Sequence, residues 1–350
     1  MIMQPVALEG ENSKMSKITI QQIADLAGVN KATVSRVING STNISEKTRE
    51  KVEAIMKQHN YVPNSIARGL AFNKTFTVGF YSDYTDKRAY ANPFFYKVLQ
   101  GIEEIVYNND HMFLMMSDHV NKKSRSTFEN VVSQHRVDGL IIPNTLLTEQ
   151  NYDLLIKHNM PYVVTGENML PKEGVPWVDI DNVQAGQVLT EHLIHLGRRN
   201  IMIYAGGEAV KRDKFLADRL KGYTETMRRY QLDISVIEHA DVLKTLNFSG
   251  ESAQSEQSGI AGARPDALIC CTHEQLFEIL DWERGNPMLS ELALATFDNF
   301  PMSKYMTHPV HFVDIDLEMM GKQAAQMLFS LMNKEPDVPK SISILTRIGN

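Results

Sequence analysis

A chain of 350 residues exceeds one ordinary core and points to two or three compact units. With 43% hydrophobic and 22% charged residues, no run of about 18 apolar residues and no basic-then-apolar leader, it reads as a cytoplasmic globular protein without a membrane span. The net charge of -6 is uneven: residues 14–74 hold ten Lys/Arg against four Asp/Glu, whereas Glu9 and Glu11 lie before them and the rest of the chain is strongly acidic. A basic head on an acidic body suits one polyanion-binding module on a carrier that does not bind nucleic acid.

Residues 1–16 match no structural pattern and are read as a disordered extension, with Met15 an alternative start. Residues 17–62 divide into three short amphipathic helices. Thr19 and Gln22 have capping-box spacing, opening a helix with Ile23, Leu26 and Ala27 on one face. Gly28 breaks it and Asn30 caps the next, in which Val34, Val37 and Ile38 turn inward while Lys31, Ala32, Ser35 and Arg36 face out. Asn39-Gly40 closes that helix. Ser45 and Glu46 open a third, running to about His59 with Val52, Ile55 and Met56 inward. A second helix with a small, polar, cationic outer face is one a major groove accepts.

Pro63 leads into Asn64-Ser65-Ile66-Ala67-Arg68-Gly69-Leu70, too short and too weakened by glycine for a helix stable alone in water; residues 63–75 are read as a hinge and linker. From residue 76 the chain alternates apolar strands (77–82, 112–117, 138–143, 161–166, 201–206, 267–271 and 292–297) with helices, the pattern of parallel sheets. The adjacent Cys270 and Cys271 lie in one of these runs and read as buried strand residues, since two cysteines make no zinc framework. No P-loop, nucleophile elbow, zinc pair or dinucleotide fingerprint occurs, so no catalytic residues, metal or cofactor are expected.

The run from Ile20 to Leu70, with ADLAGVNKATVSRVING followed by YVPNSIARGL, resembles the DNA-binding head of the lactose-repressor (LacI–GalR) family. The resemblance continues through Asn92-Pro93-Phe94-Phe95, Val137-Asp138-Gly139-Leu140-Ile141, Asp181-Asn182, His195-Leu196-Gly197-Arg198-Arg199 and Thr296-Phe297-Asp298. It implies a small all-α helix-turn-helix head on an α/β body of two doubly wound parallel-sheet lobes of the periplasmic-binding-protein type. The body, 76–350, would place 76–178 and 316–335 in lobe 1 and 179–312 and 341–347 in lobe 2.

The resemblance further implies a repressor of carbohydrate-utilisation genes, not an enzyme, whose affinity for a palindromic operator follows a small sugar-type effector. Lys31 and Ala32 would choose the operator, Arg36 would read a third base, and Thr33 and Ser35 would anchor phosphate. Thr19, Asn39, Asn64, Ala67 and Leu70 complete the implied DNA-facing set, Leu70 as a wedge between base steps in a hinge paired with its dimer mate. The effector would lie between the lobes, against Phe94, Phe95, Glu167, Arg219, Phe248, Thr272 and Asp298. Thr272-His273, Gly166-Glu167 and Ile315 depart from the family pattern, pointing to a different effector from lactose analogues, or alternatively to control by a protein corepressor. The chain carries no apolar heptad tail near Arg347, and a homodimer is expected.

Overall fold

The computed structural model describes residues 18–38, 40–63, 69–70, 72–83, 93–117, 126–239, 265–283, 292–297, 299, 303–306 and 308–349. The chain divides after Lys74 into two compact units, each with its own core.

The first unit holds α1 (Ile20–Ala27), α2 (Lys31–Ile38) and α3 (Glu46–Gln58). The α1 N-terminus is closed by reciprocal bonds: Gln22 N donates to Thr19 Oγ1 at 3.3 Å, and Thr19 N donates to Gln22 Oε1 at 2.8 Å. Gly28, at φ +66°, ends α1 in the left-handed conformation that glycine adopts without a Cβ penalty. Ile23, Ala24, Ala27, Val34, Val37 and Val52 form the core. Leu26 departs from expectation: it is 51% exposed, and Ala24 is buried in its stead. At roughly 100° per residue, Ala24 and Leu26 flank the Ile23/Ala27 stripe on opposite sides, and the core forms on the Ala24 side.

The second unit runs β1 (Thr77–Tyr81), α4 (Pro93–Asn108), β2 (Met112–Met116), α5 (Thr127–Ser133), β3 (Gly139–Pro143), α6 (Glu149–Lys157), β4 (Tyr162–Thr165), β5 (Trp177–Ile180), α7 (Asn182–His195), β6 (Ile201–Tyr204), α8 (Gly207–Arg212) and α9 (Lys214–Arg229). It continues through β7 (Ser235–Ile237), β8 (Ala267–Cys270), α10 (His273–Glu283), β9 (Ala293–Phe297), β10 (Val310–Asp314), α11 (Leu317–Met332), β11 (Ser341–Ile344) and β12 (Arg347–Ile348). Two sheets result, ordered β11-β5-β4-β3-β1-β2 and β12-β10-β9-β8-β6-β7. Their pairs are parallel except β12, which runs antiparallel to β10. The central strands are continuous apolar runs, as sheets covered on both faces require.

The chain passes between the sheets after β5, after β10 and after β11. The last passage corrects the expected division, which gave 341–347 to the second lobe. Ser341–Ile344 pairs instead with Trp177–Ile180 in the first sheet, leaving only Arg347–Ile348 on the second. The reason is proximity: α11 packs on α4 and the first sheet, so the chain leaving it reaches that sheet's open edge first. Gln184 pins the crossing, its Oε1 accepting from Thr346 N at 2.9 Å and its Nε2 donating to Thr346 O at 3.0 Å.

Helices α7 and α9 cross closely at two glycines. A Cβ on Gly186 would lie 2.4 Å from Arg219 O, and one on Gly222 would lie 2.1 Å from Val183 O. Among the described residues no helix is long and apolar enough to cross a membrane.

Candidate functional site

Two surfaces carry chemistry. On α2, Val34 and Val37 are buried while Lys31, Ala32 and Arg36 are exposed, so the cationic face points away from the head's core. Asn30 Oδ1 accepts from Thr33 N at 2.7 Å and from the Thr33 hydroxyl at 2.8 Å. That hydroxyl proton is committed to the helix start, which leaves the oxygen's acceptor capacity outward. Leu70 is 86% exposed.

The second surface is a cavity of about 640 Å³ at the C-terminal ends of strands in both sheets of the second unit. Arg219 of α9 crosses its floor. Its Nε donates to Asn182 Oδ1 at 3.1 Å and its Nη1 to the Cys271 carbonyl at 2.6 Å. The guanidinium lies 4.3 Å from the Phe297 ring centroid and 5.0 Å from that of Phe215, both of which also line the cavity. Cation–π contact and two hydrogen bonds therefore fix the plane of the fork. Burial pushes the Cys271 thiol up to about 12, and the Arg219 charge opposes that shift.

Asp179, near the end of β5, forms part of the opposite wall. Its Oδ2 accepts from Glu167 N at 2.9 Å and its Oδ1 from Ile180 N at 2.7 Å. Burial nevertheless lifts its carboxyl to about 6; the two amides and the Arg219 charge oppose that shift. Beside it, Asn144 Nδ2 donates to Glu167 O at 3.0 Å, and the Glu167 carboxylate reaches Lys214 Nζ on α9 at 3.2 Å. Lys214 also meets Asp218 at 3.1 Å, so this ion-pair group joins the two lobes.

At the third wall, Thr272 and Gln275 close the start of α10 reciprocally: Thr272 N donates to Gln275 Oε1 at 3.0 Å and Gln275 N to Thr272 Oγ1 at 3.3 Å. His273 is buried against the cavity, with Nε2 at 3.2 Å from Glu274 Oε1. Burial holds its pKa below the usual histidine value, Arg219 adds to that, and Glu274 opposes it.

Residues 19–64 match the signature described as bacterial regulatory proteins, lacI family. Residues 85–230 match periplasmic binding proteins and sugar binding domain of LacI family, and 190–349 a periplasmic binding protein-like domain. Catabolite control protein A of Staphylococcus xylosus is 30% identical over 325 residues, covering 91% of this chain and 93% of that one. The protein of that name from Staphylococcus aureus (strain MRSA252) is 31% identical over 327 residues, with the same coverage. The chain belongs to the LacI family. It is accordingly a DNA-binding transcriptional regulator.

The fold agrees with that membership. The lac repressor dimer bound to operator and the anti-inducer ONPF superimposes with a TM-score of 0.67 at 20% identity, covering 96% of this chain and 98% of that one. The transcriptional regulator CelR–cellobiose complex gives 0.62 at 24% identity, covering 95% and 98%.

Of the expected LacI-family effector residues, the structure brings Arg219 and Thr272 to the cavity. Glu167 stands beside it with its carboxylate turned to Lys214, and it is the backbone of Gly166 that lines the wall. Phe95 packs on Phe80, ring centroids 5.8 Å apart, half-buried against the core that holds Leu99 and Ile102, and is not among the described residues lining the cavity. The Phe94 side chain, Phe248 and Asp298 lie outside the described residues, as do Asn39, Asn64, Ala67 and the extension 1–16. The sequence reading missed Asp179, Asn144, Phe215 and Lys214. For Asp179 a signal existed: in Trp177-Val178-Asp179-Ile180 an acid alternates with apolar residues just before a crossover, where strand ends meet a cleft.

Proposed function

We propose that this regulator is a homodimeric repressor of carbohydrate-utilisation genes whose affinity for a palindromic operator is set by a small sugar-type ligand in the inter-lobe cavity. One observation carries the reading: a forked donor, Arg219, fixed between two aromatic rings in a cavity lined by both lobes. Sugars combine hydroxyl edges, which a planar fork and amide groups grip, with apolar faces that rings cover. The cellobiose-bound regulator supports the same ligand class.

On this reading the exposed α2 face enters the major groove, with Lys31, Ala32 and Arg36 at base edges and Thr19, Thr33 and Ser35 at the phosphates, the Thr19 and Thr33 hydroxyls turning their protons from Gln22 and Asn30 to phosphate oxygens on binding. An Arg36 fork on guanine is worth about 1–3 kcal/mol against a wrong base. The hinge orders on DNA and inserts Leu70. Dimerisation is supported by edge strand β2, whose Met112, Leu114 and Met115 are exposed beside the exposed Tyr107 of α4.

The test is calorimetric titration of the full chain with glucose, ribose, maltose and cellobiose, with and without operator. At least one sugar binds and changes operator affinity; Arg219→Ala abolishes that response while operator affinity without sugar stays within severalfold. A response that survives Arg219→Ala assigns the site elsewhere, and no binding by any sugar leaves control to a protein partner.

A further inference from the structure

The cavity presents more acid than a simple sugar clamp needs. Arg212 and Asp213 pair with each other at 2.8 Å. Lys214, the next cation, is held by Glu167 and Asp218. Among the described residues lining the cavity, the carboxylates of Asp179, Asp213 and Glu274 stand against the guanidiniums of Arg212 and Arg219. Asp213 pairs with Arg212, whereas among the described residues no cation forms an ion pair with Asp179, whose two oxygens accept only backbone N–H bonds.

Resting on the sugar-cleft reading above, we propose that Asp179 is a direct ligand contact and a specificity determinant, which makes the cleft select an uncharged polyhydroxylated ligand and reject its phosphorylated form. The geometry is that of a prepared acceptor. Each carboxylate oxygen takes one backbone N–H, from Glu167 or Ile180, and each keeps acceptor capacity beyond it. The two amides fix the plane of the group before any ligand arrives, and the Asn144 bond to Glu167 O fixes one of those amides in turn. Two neighbouring hydroxyls of a sugar can then donate to one carboxylate while a third edge meets Arg219 from the other lobe.

Tying down the Glu167 and Ile180 amides gives the carboxylate a structural role, but those two bonds do not offset its desolvation, and they leave acceptor capacity on both oxygens for ligand hydroxyls. A phosphate, by contrast, brings acceptors and negative charge to a wall that already supplies both. Among the described residues lining the cavity, three carboxylates outnumber two guanidiniums, so a phosphate meets a net negative wall.

The experiment uses the full chain and pairs glucose, ribose, maltose and cellobiose each with its phosphorylated form, by calorimetry and by thermal shift. The best neutral sugar binds at least tenfold more tightly than its phosphate. Asp179→Asn, shown to fold by its cooperative apo melting transition, weakens that sugar tenfold or more and narrows the discrimination against the phosphate. A phosphorylated sugar that binds as tightly as its neutral partner, or unchanged sugar affinity in Asp179→Asn, overturns the proposal while leaving the sugar-cleft reading intact. If no compound of either set binds the wild type, the sugar-cleft reading itself fails and the proposal falls with it.

Discussion

Asp179 sets a conflict between folding and binding that can be measured without any ligand. Its carboxyl is raised from an ordinary 3.8 to about 6 because burial disfavours the charged form. The folded state therefore holds the proton more tightly than the unfolded chain does. The resulting destabilisation is complete above about pH 6 and vanishes below 3.8, so this group's contribution to stability improves as pH falls between those limits. A shift of this size corresponds to up to about 3 kcal/mol at pH 7. Asp179→Asn removes the ionisable group, so between pH 4 and pH 7 the stability difference should shift in the variant's favour by up to that amount, on top of a pH-independent cost for the backbone N–H that loses its acceptor. Urea unfolding of both proteins across pH 4–7 reads the difference directly. Parallel stability curves for the two proteins would show that burial exacts no charge penalty at this position.

At the scale of elements, the site depends on packing that it does not touch. Arg219 rides on α9, and α9 meets α7 where Gly186 and Gly222 let the backbones approach. A methyl on Gly222 would stand 2.1 Å from Val183 O, so one helix must move. Gly222→Ala should cost about 1–3 kcal/mol, as overpacked interiors do, and lower ligand affinity because Arg219 shifts from Asn182 and the Cys271 carbonyl. Ligand affinity equal to wild type in a destabilised Gly222→Ala would separate the crossing from the site. The elements themselves were largely legible in the sequence. Capping residues and apolar periodicity gave the head, and the long apolar runs gave seven strands. Trp177–Ile180, Ser235–Ile237 and Val310–Asp314 were not legible, because short strands carrying Asp, Ser or His gain their identity from neighbours in the sheet. The same holds for the site. Arg219 stood in a recognisable motif and Thr272 at a break in one, whereas Phe215 and, beyond its alternation with apolar neighbours, Asp179 became site residues only when lobes distant in sequence closed on one cavity. Phe95 shows the converse: the phase of its helix lays an aromatic from a motif half-buried against the lobe core.

At the scale of the whole molecule, the proposed function requires that a ligand held by one unit alter DNA binding by the other. Between the lobes, the Glu167–Lys214 pair is partly exposed, at 39% and 34%, and such pairs contribute below about 1 kcal/mol. Ligand contacts to both walls, rather than this pair, should therefore set how the lobes close. On the proposed function the link to DNA is the hinge at 63–75, and Leu70 tests it. A side chain 86% exposed contributes little to the free protein, and its burial is realised only when it enters a base step. Leu70→Ala should leave the urea midpoint of the free chain unchanged and weaken operator binding by a few kcal/mol. Non-specific DNA affinity and its salt slope, which rest on phosphate contacts, should stay as they were. Coupling supplies the sharper measurement. The factor by which saturating sugar changes operator affinity must equal the factor by which operator changes sugar affinity, and a tenfold factor corresponds to about 1.4 kcal/mol. If the hinge transmits the signal, both factors fall together toward unity in Leu70→Ala, while sugar affinity without DNA is untouched. A variant that binds operator weakly yet keeps the full coupling factor would show that the ligand's signal reaches the head by a route that bypasses the hinge wedge.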